Sequence, residues 1–316
     1  HRFMAFSMLL IAALVAFVPL AASLWILLAI VFVLGLGKGA LDVGCNLLLQ
    51  WVHGRKAGPF LNGLHFCFGV GSFIGPLILA FSLKSTAEIY WVFWTIALLS
   101  LPLAAWFWVL PDPPHPARVA ENGALSVPLL PILLIVATFF LYVGAEVGFG
   151  NWIYTYAVTL GVATTITAAY LTSVFWGLFT VGRLLGVWIS TRLRAQTILF
   201  LDLAGCLASL ALIMFGKNST ALLWTGTAGL GLSMASMFPT ILMFASERWH
   251  VTGSVTGWFL VGSGGGGMFL PWLIGQTFVA AGPQSMMLVV FTAVLANLLI
   301  FSYLVSLKHA PVASAA

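Results

Sequence analysis

Ten apolar runs, each long enough to cross a bilayer as a helix, make up most of this chain and leave it few folds to choose from. They cover about residues 3–20, 24–51, 60–82, 89–110, 129–157, 164–190, 196–215, 220–246, 253–281 and 285–307. A bilayer's hydrocarbon core is about 30 Å thick, and a helix needs roughly 20 residues to cross it. Leu, Ala, Gly and Phe follow one another in these runs without the alternation a membrane strand requires, so the spacing predicts helices and not a barrel. Of the 316 residues, 62% are hydrophobic and only 6% charged, against about 25% charge in ordinary soluble proteins. The expected fold is an all-α membrane protein, two helical bundles around a central cavity.

The few charges orient the chain. With the N-terminus in the cytoplasm, Arg2, Arg55, Lys56, Arg118, Arg192, Arg194, Arg248 and Lys308 all fall inside, and only Lys84 and Lys217 outside. That bias is the usual one for cytoplasmic loops, and it accounts for the net charge of +5 without nucleic acid, for which no basic patch or motif is present. Both termini are therefore expected in the cytoplasm, in a multi-pass protein of the cell (inner) membrane. Cys45, Cys67 and Cys206 lie in apolar runs without metal-ligand spacing, so no disulfide framework, metal or cofactor is expected. The GSGGGG at 262–267 follows no strand and precedes no Lys-Ser/Thr, so it is no phosphate loop; glycines there fit a hinge or a close helix crossing. No catalytic pair stands at zincin, rhomboid-like or acyltransferase spacing, and no enzyme is expected.

Connections are short except for PDPPHPARVAENGALSV at 111–127, whose prolines and polar residues mark a cytoplasmic linker. It divides the chain into a four-helix bundle at 1–110 and a six-helix bundle at 128–316. A weak internal repeat runs across that division. GPFLNGLHFCFGVGSFIGPL from Gly58 aligns with GSVTGWFLVGSGGGGMFLPW from Gly253, matching Gly58/Gly253, Gly69/Gly264, Gly71/Gly266 and Pro76/Pro271 at an offset of 195. One span earlier, Gly35–Gly37 matches Gly229–Gly231 at an offset of 194. Span two then pairs with span eight and span three with span nine, giving a repeat unit of six helices, the parallel layout of major facilitator transporters. VGRLLGVWISTRLR at 181–194 has its expected counterpart ending at about residue 1. The expectation is ten helices, four plus six, of a twelve-helix protein lacking its first two.

Polar side chains inside apolar spans are costly and call for a reason. Lys38, Asp42 and Asn46 recur at i, i+4 and i+8, on one helix face within an arc of about 80°. Either Lys38 and Asp42 form a self-neutralising pair, or this face lines a polar cavity in which Asp42 takes up and releases a proton while Lys38 tunes it. Asn62 and His65 open span three one turn apart and are candidates for substrate contact or gating. In YVGAEVGFGNWIYTY at 142–156, Glu146 stands without a nearby cation among Gly144, Gly148, Gly150, Asn151 and Trp152. The glycines permit close packing or a broken helix. Carboxylate, amide and flat rings together suit a sugar, by hydrogen bonds to hydroxyls and stacking on C–H faces. Glu146, Asn151 and Trp152 therefore join Asn46, Asn62 and His65 as candidate substrate contacts. Arg183 is expected to latch cytoplasmic helix ends, and Asp202 to support its own helix end.

LDVGCN at 41–46, FLYVGAEVGFGNWIYTYAV at 140–158, AAYLTSVFWGLFTVGRLLGVWIS at 168–190, FPTIL at 238–242 and the Gly-rich span nine resemble the fucose/glucose–galactose permease branch of the major facilitator superfamily, including its sodium-dependent glucose transporter-like members. The resemblance implies a monosaccharide symporter working by alternating access, coupled to protons or sodium; the protein is expected to be a monomer in the bilayer. It implies that Asp42 matches an acid taking part in proton coupling and sugar binding, and that Asn46 matches a neighbouring asparagine. Glu146 stands where the branch has Glu or Gln beside the sugar. Lys38 departs from the pattern, and so does the lack of a first helix carrying a second acid. An exporter of drugs or organic anions, which Lys38 would suit, and a truncated non-transporting membrane protein remain as alternatives.

Overall fold

The computed structural model describes residues 1–53, 58–111, 128–216, 219–249, 251 and 253–307. Eleven helices run in order among them: α1 (Arg2–Phe17), α2 (Leu24–His53), α3 (Gly58–Thr86), α4 (Tyr90–Val109), α5 (Leu129–Thr159), α6 (Thr165–Ser190), α7 (Ala195–Phe215), α8 (Thr220–Met234), α9 (Met237–Arg248), α10 (Gly253–Ala281) and α11 (Gln284–Ser306). There is no strand among the described residues. The expected linker lies, past Pro111, outside them, as do Arg55, Lys56, Lys217 and Lys308.

Nine described segments are long and apolar enough to cross a membrane. The ninth expected span, α10, is as long as its neighbours but diluted by glycine. The eighth, expected as one helix over 220–246, is two: α8 ends at Met234, α9 begins at Met237, and together they make one crossing, Thr220–Arg248. The residue behind the break is Pro239, which has no N–H to offer the Ala235 carbonyl and whose ring crowds that carbonyl.

The chain separates into two compact units, His1–Ala120 and Glu121–Ala316. In the first, α1 packs between α2 and α4. The Trp94 indole N–H donates to the Ala16 carbonyl at 3.3 Å, and His1 Nδ1 lies 2.7 Å from the Pro111 carbonyl. Its helices turn apolar side chains outward, Trp25, Phe32 and Leu98 among them, as lipid-facing helices do. In the second unit α5 is the central helix, with α6, α10 and α11 against it. Phe139, Phe149, Phe175, Phe179, Phe244 and Phe259 are fully buried there.

Glycine sets the α5–α10 contact. A Cβ on Gly144 would come within 2.8 Å of the Gly266 carbonyl, one on Gly262 within 2.6 Å of the Val136 carbonyl, and one on Gly266 would run into the Phe140 carbonyl. Helix α5 is unbroken from Leu129 to Thr159. Gly144, Gly262 and Gly266 make a close crossing, and α5 is not broken at Gly144. At one end of the unit, Arg248 donates to the carbonyls of Leu304 and Val305 at 3.4 Å and to Gln196 at 3.2 Å. A guanidinium there meets carbonyls that the last turn of α11 leaves without intrahelical partners.

Candidate functional site

Two polar clusters interrupt the apolar helices, one in each unit. In the first unit, Lys38 and Asp42 are exposed and Asn46 half-buried along one face of α2. Asn46 Nδ2 donates to the Asp42 carbonyl at 2.9 Å and to Asp42 Oδ1 at 3.3 Å. Lys38 turns its ammonium over the Phe68 ring of α3, 5.9 Å from the centroid. The cation is thus drawn to a ring and the carboxylate to an amide, which leaves Asp42 open on its remaining side. Asn62 and His65 lie on α3, but their side chains are outside the described residues.

In the second unit, Glu146 is buried, 6% exposed. The Tyr142 hydroxyl, one turn back on α5, hydrogen-bonds it, and the Arg183 charge on α6 acts on it through space. This changes one expectation. Glu146 is not without a cation: Arg183 supplies one from the neighbouring helix, which no local pattern in 142–156 displays. Arg183, expected to latch cytoplasmic helix ends, lies within α6, its charge acting on Glu146 and its guanidinium 4.5 Å from the centroid of the Phe179 ring. Trp152 is likewise engaged within the unit, its N–H donating to the Pro271 carbonyl at 3.1 Å and its ring 5.2 Å from that of Phe278. Asn151 is exposed.

Sequence reasoning missed the surroundings of the α8–α9 break. Tyr142 Oη donates to the carbonyl of Met234, the last residue of α8, at 3.2 Å. Ser236 Oγ donates to Asp202 Oδ2 at 2.5 Å, so Asp202 braces the break and not only its own helix. Gly182 and Gly186 of α6 make room for it: a Cβ on Gly182 would lie 2.6 Å from that of Ala235, and one on Gly186 3.0 Å from that of Ser236. The available signals were Pro239 inside a span and a Tyr-Glu pair at i, i+4. Ser236→Ala removes the donor from a largely enclosed carboxyl and is expected to destabilise the unit by about 1–3 kcal/mol. Thermal unfolding in detergent checks this, and an unchanged melting temperature would show that the contact bears no weight.

Long apolar helices in two units, each holding a few polar side chains, define a polytopic α-helical membrane protein. The chain belongs to the Major Facilitator Superfamily, whose family model matches residues 1–271. Among its relatives, a Xenopus laevis protein named sodium-dependent glucose transporter 1 is 32% identical over 311 residues, covering 87% of this chain and 62% of that protein. The Homo sapiens protein of that name is 28% identical, covering 82% of this chain and 57% of that one. The chain thus spans less than two thirds of both relatives' length. In fold it is similar to the E. coli fucose:proton symporter, with a TM-score of 0.65 at 19% identity, covering 97% of this chain and 83% of that one.

Proposed function

We propose that this chain belongs to a secondary active transporter of a monosaccharide of the glucose, galactose or fucose kind, working as a proton-coupled symporter by alternating access. The observation that carries the proposal is the 32% identity to a protein named as a glucose transporter, maintained over 87% of the chain. The chemistry on the α2 face fits it. Asp42 is an exposed carboxylate in an apolar helix, held by an amide and not neutralised by the lysine one turn away. It is the group proposed to take up and release the coupling proton, with Asn46 beside it to hydrogen-bond a hydroxyl.

Asn62, His65 and Asn151 complete the proposed sugar contacts. Glu146 and Trp152, grouped with them from sequence, have partners inside the second unit and are assigned to its interior instead. Lys38 serves as a tuning cation near Asp42. The transporter is proposed to act as a monomer in a cell membrane, with both termini and the linker in the cytoplasm. Sodium is the second reading for the coupling ion, favoured by the names of the relatives.

Counterflow in proteoliposomes tests the cargo. The full-length protein, loaded inside with unlabelled glucose, galactose or fucose, is expected to exchange labelled sugar, while an organic anion of similar size exchanges none. Exchange of the anion alone would overturn the sugar assignment in favour of an organic-anion carrier.

A further inference from the structure

The Tyr142 hydroxyl lies between two acceptors and has one hydrogen to give. On one side is the Glu146 carboxyl; on the other is the Met234 carbonyl at 3.2 Å, where α8 stops. Tyr142 is 2% exposed and Glu146 6%, so water does not stand in freely for either partner. A hydroxyl donates once and accepts through its lone pairs, a carboxylate only accepts, and a protonated carboxyl gains one O–H donor. These valences permit two arrangements. With Glu146 ionised, the Tyr142 O–H donates to the carboxylate, and the Met234 carbonyl loses that donor. With Glu146 protonated, the Glu146 O–H donates to Tyr142 Oη, which frees the Tyr142 O–H for Met234.

We propose that Glu146 is a second proton-binding group of the transporter and that Tyr142 relays its state to the α8–α9 break. The proton comes from water and returns to it, binding one carboxylate oxygen; no other bond is made or broken. The break is where such a signal changes conformation most readily. Its backbone is already interrupted at Ala235–Ser236, and a helix's last carbonyls have no intrahelical donor. Ser236 is tied to Asp202 and seated against Gly182 and Gly186. Arg183, adjacent to Gly182, supplies the cation whose charge acts on Glu146 from α6.

The charged and titratable groups around Glu146 are few. Tyr142 comes from α5 itself and Arg183 from α6. Helix α7 brings Cys206 near Tyr142, with Asp202 one turn away and bound to Ser236. Helices α8 and α10 contain no titratable residue. Helix α9 carries only Glu247 and Arg248, at its far end, with Arg248 committed to Gln196 and the α11 carbonyls, and α11 carries only the exposed Tyr303. Two carboxyls therefore reach the break, Glu146 by way of Tyr142 and Asp202 by way of Ser236, and the Glu146 and Tyr142 variants separate the first from the second.

The proposal extends the transport reading by adding a coupling group, but its test needs no sugar, so either can fail alone. In the purified full-length protein, infrared pH-difference spectra follow the carboxyl. Amide hydrogen exchange across 234–240, corrected for the intrinsic pH dependence of exchange, follows the break. In the wild type, protection of that segment is expected to rise about fivefold as Glu146 becomes protonated, the worth of one net hydrogen bond. Glu146→Gln, whose amide N–H imitates the protonated acid, removes a carboxyl band and holds protection at the low-pH level throughout. Tyr142→Phe keeps the ring in place; its carboxyl band still titrates, while protection no longer follows. Protection that tracks pH in Tyr142→Phe as in the wild type, or a titration of the break that survives Glu146→Gln, overturns the relay. Should Glu146→Gln fail to fold, the Tyr142→Phe comparison decides alone.

Discussion

Gly266→Ala is expected to destabilise the second unit by about 3 kcal/mol or more, the upper end of the range for overpacked sites, and to lower its yield as a monodisperse protein. The new Cβ would meet the backbone of Phe140, carbonyl oxygen first. A flexible side chain in that place would step aside, but a helix backbone moves only if α5 and α10 separate along their length. Separation would also disturb Gly144, whose own close neighbours are the Gly266 carbonyl and Leu270. Gly264, two residues away, is the control. Nothing lies within 4 Å of a Cβ built there, and Ala is the better helix former by about 1 kcal/mol, so Gly264→Ala is expected to be neutral or mildly stabilising. Thermal melts of the two variants in one detergent check both claims. Equal melting temperatures would mean that the glycines are present for some reason other than the crossing.

Those glycines show how far the sequence was legible. The apolar runs gave the helices and nearly all of their ends, because a span's length is fixed by the bilayer and its composition by lipid. The role of GSGGGG at 262–267 was open between hinge and close crossing, since choosing requires knowing which helix lies opposite. The same holds for Glu146, which looked unbalanced because its cation, Arg183, comes from another helix. Local pattern carried more than was taken from it at two places. Tyr142 and Glu146 stand one turn apart, and Pro239 inside span eight cannot donate to Ala235, a cue for the break after Met234. The α2 face was the most legible: the i, i+4, i+8 spacing of Lys38, Asp42 and Asn46 put them together, though the structure joins Asp42 to Asn46 and gives Lys38 to Phe68.

Asp42→Asn is expected to abolish proton-driven accumulation of sugar while leaving counterflow exchange partly intact. Exchange requires only that the loaded carrier bind and reorient, whereas accumulation requires a group that titrates during the cycle. The substitution is close to isosteric. An asparagine at 42 still offers Oδ1 to the Asn46 amide, which now donates to it at 3.3 Å, but it cannot ionise. It also removes the negative charge one turn from Lys38 and leaves an ammonium without it in an apolar helix. Poor expression is therefore a competing cause of lost accumulation, and the Lys38→Met/Asp42→Asn double variant separates the two. Good expression together with normal accumulation in the double variant would remove Asp42 from coupling and leave Glu146 as the protonatable group to test.

Concentrative uptake is the most direct measurement of the central claim. Full-length protein in sodium-free proteoliposomes is given labelled monosaccharide and an imposed inward proton gradient. Coupled transport predicts internal sugar rising above the external concentration, and falling back to equality when a protonophore is added. Sugar that only equilibrates, at the same level with and without the gradient, would contradict proton-coupled symport.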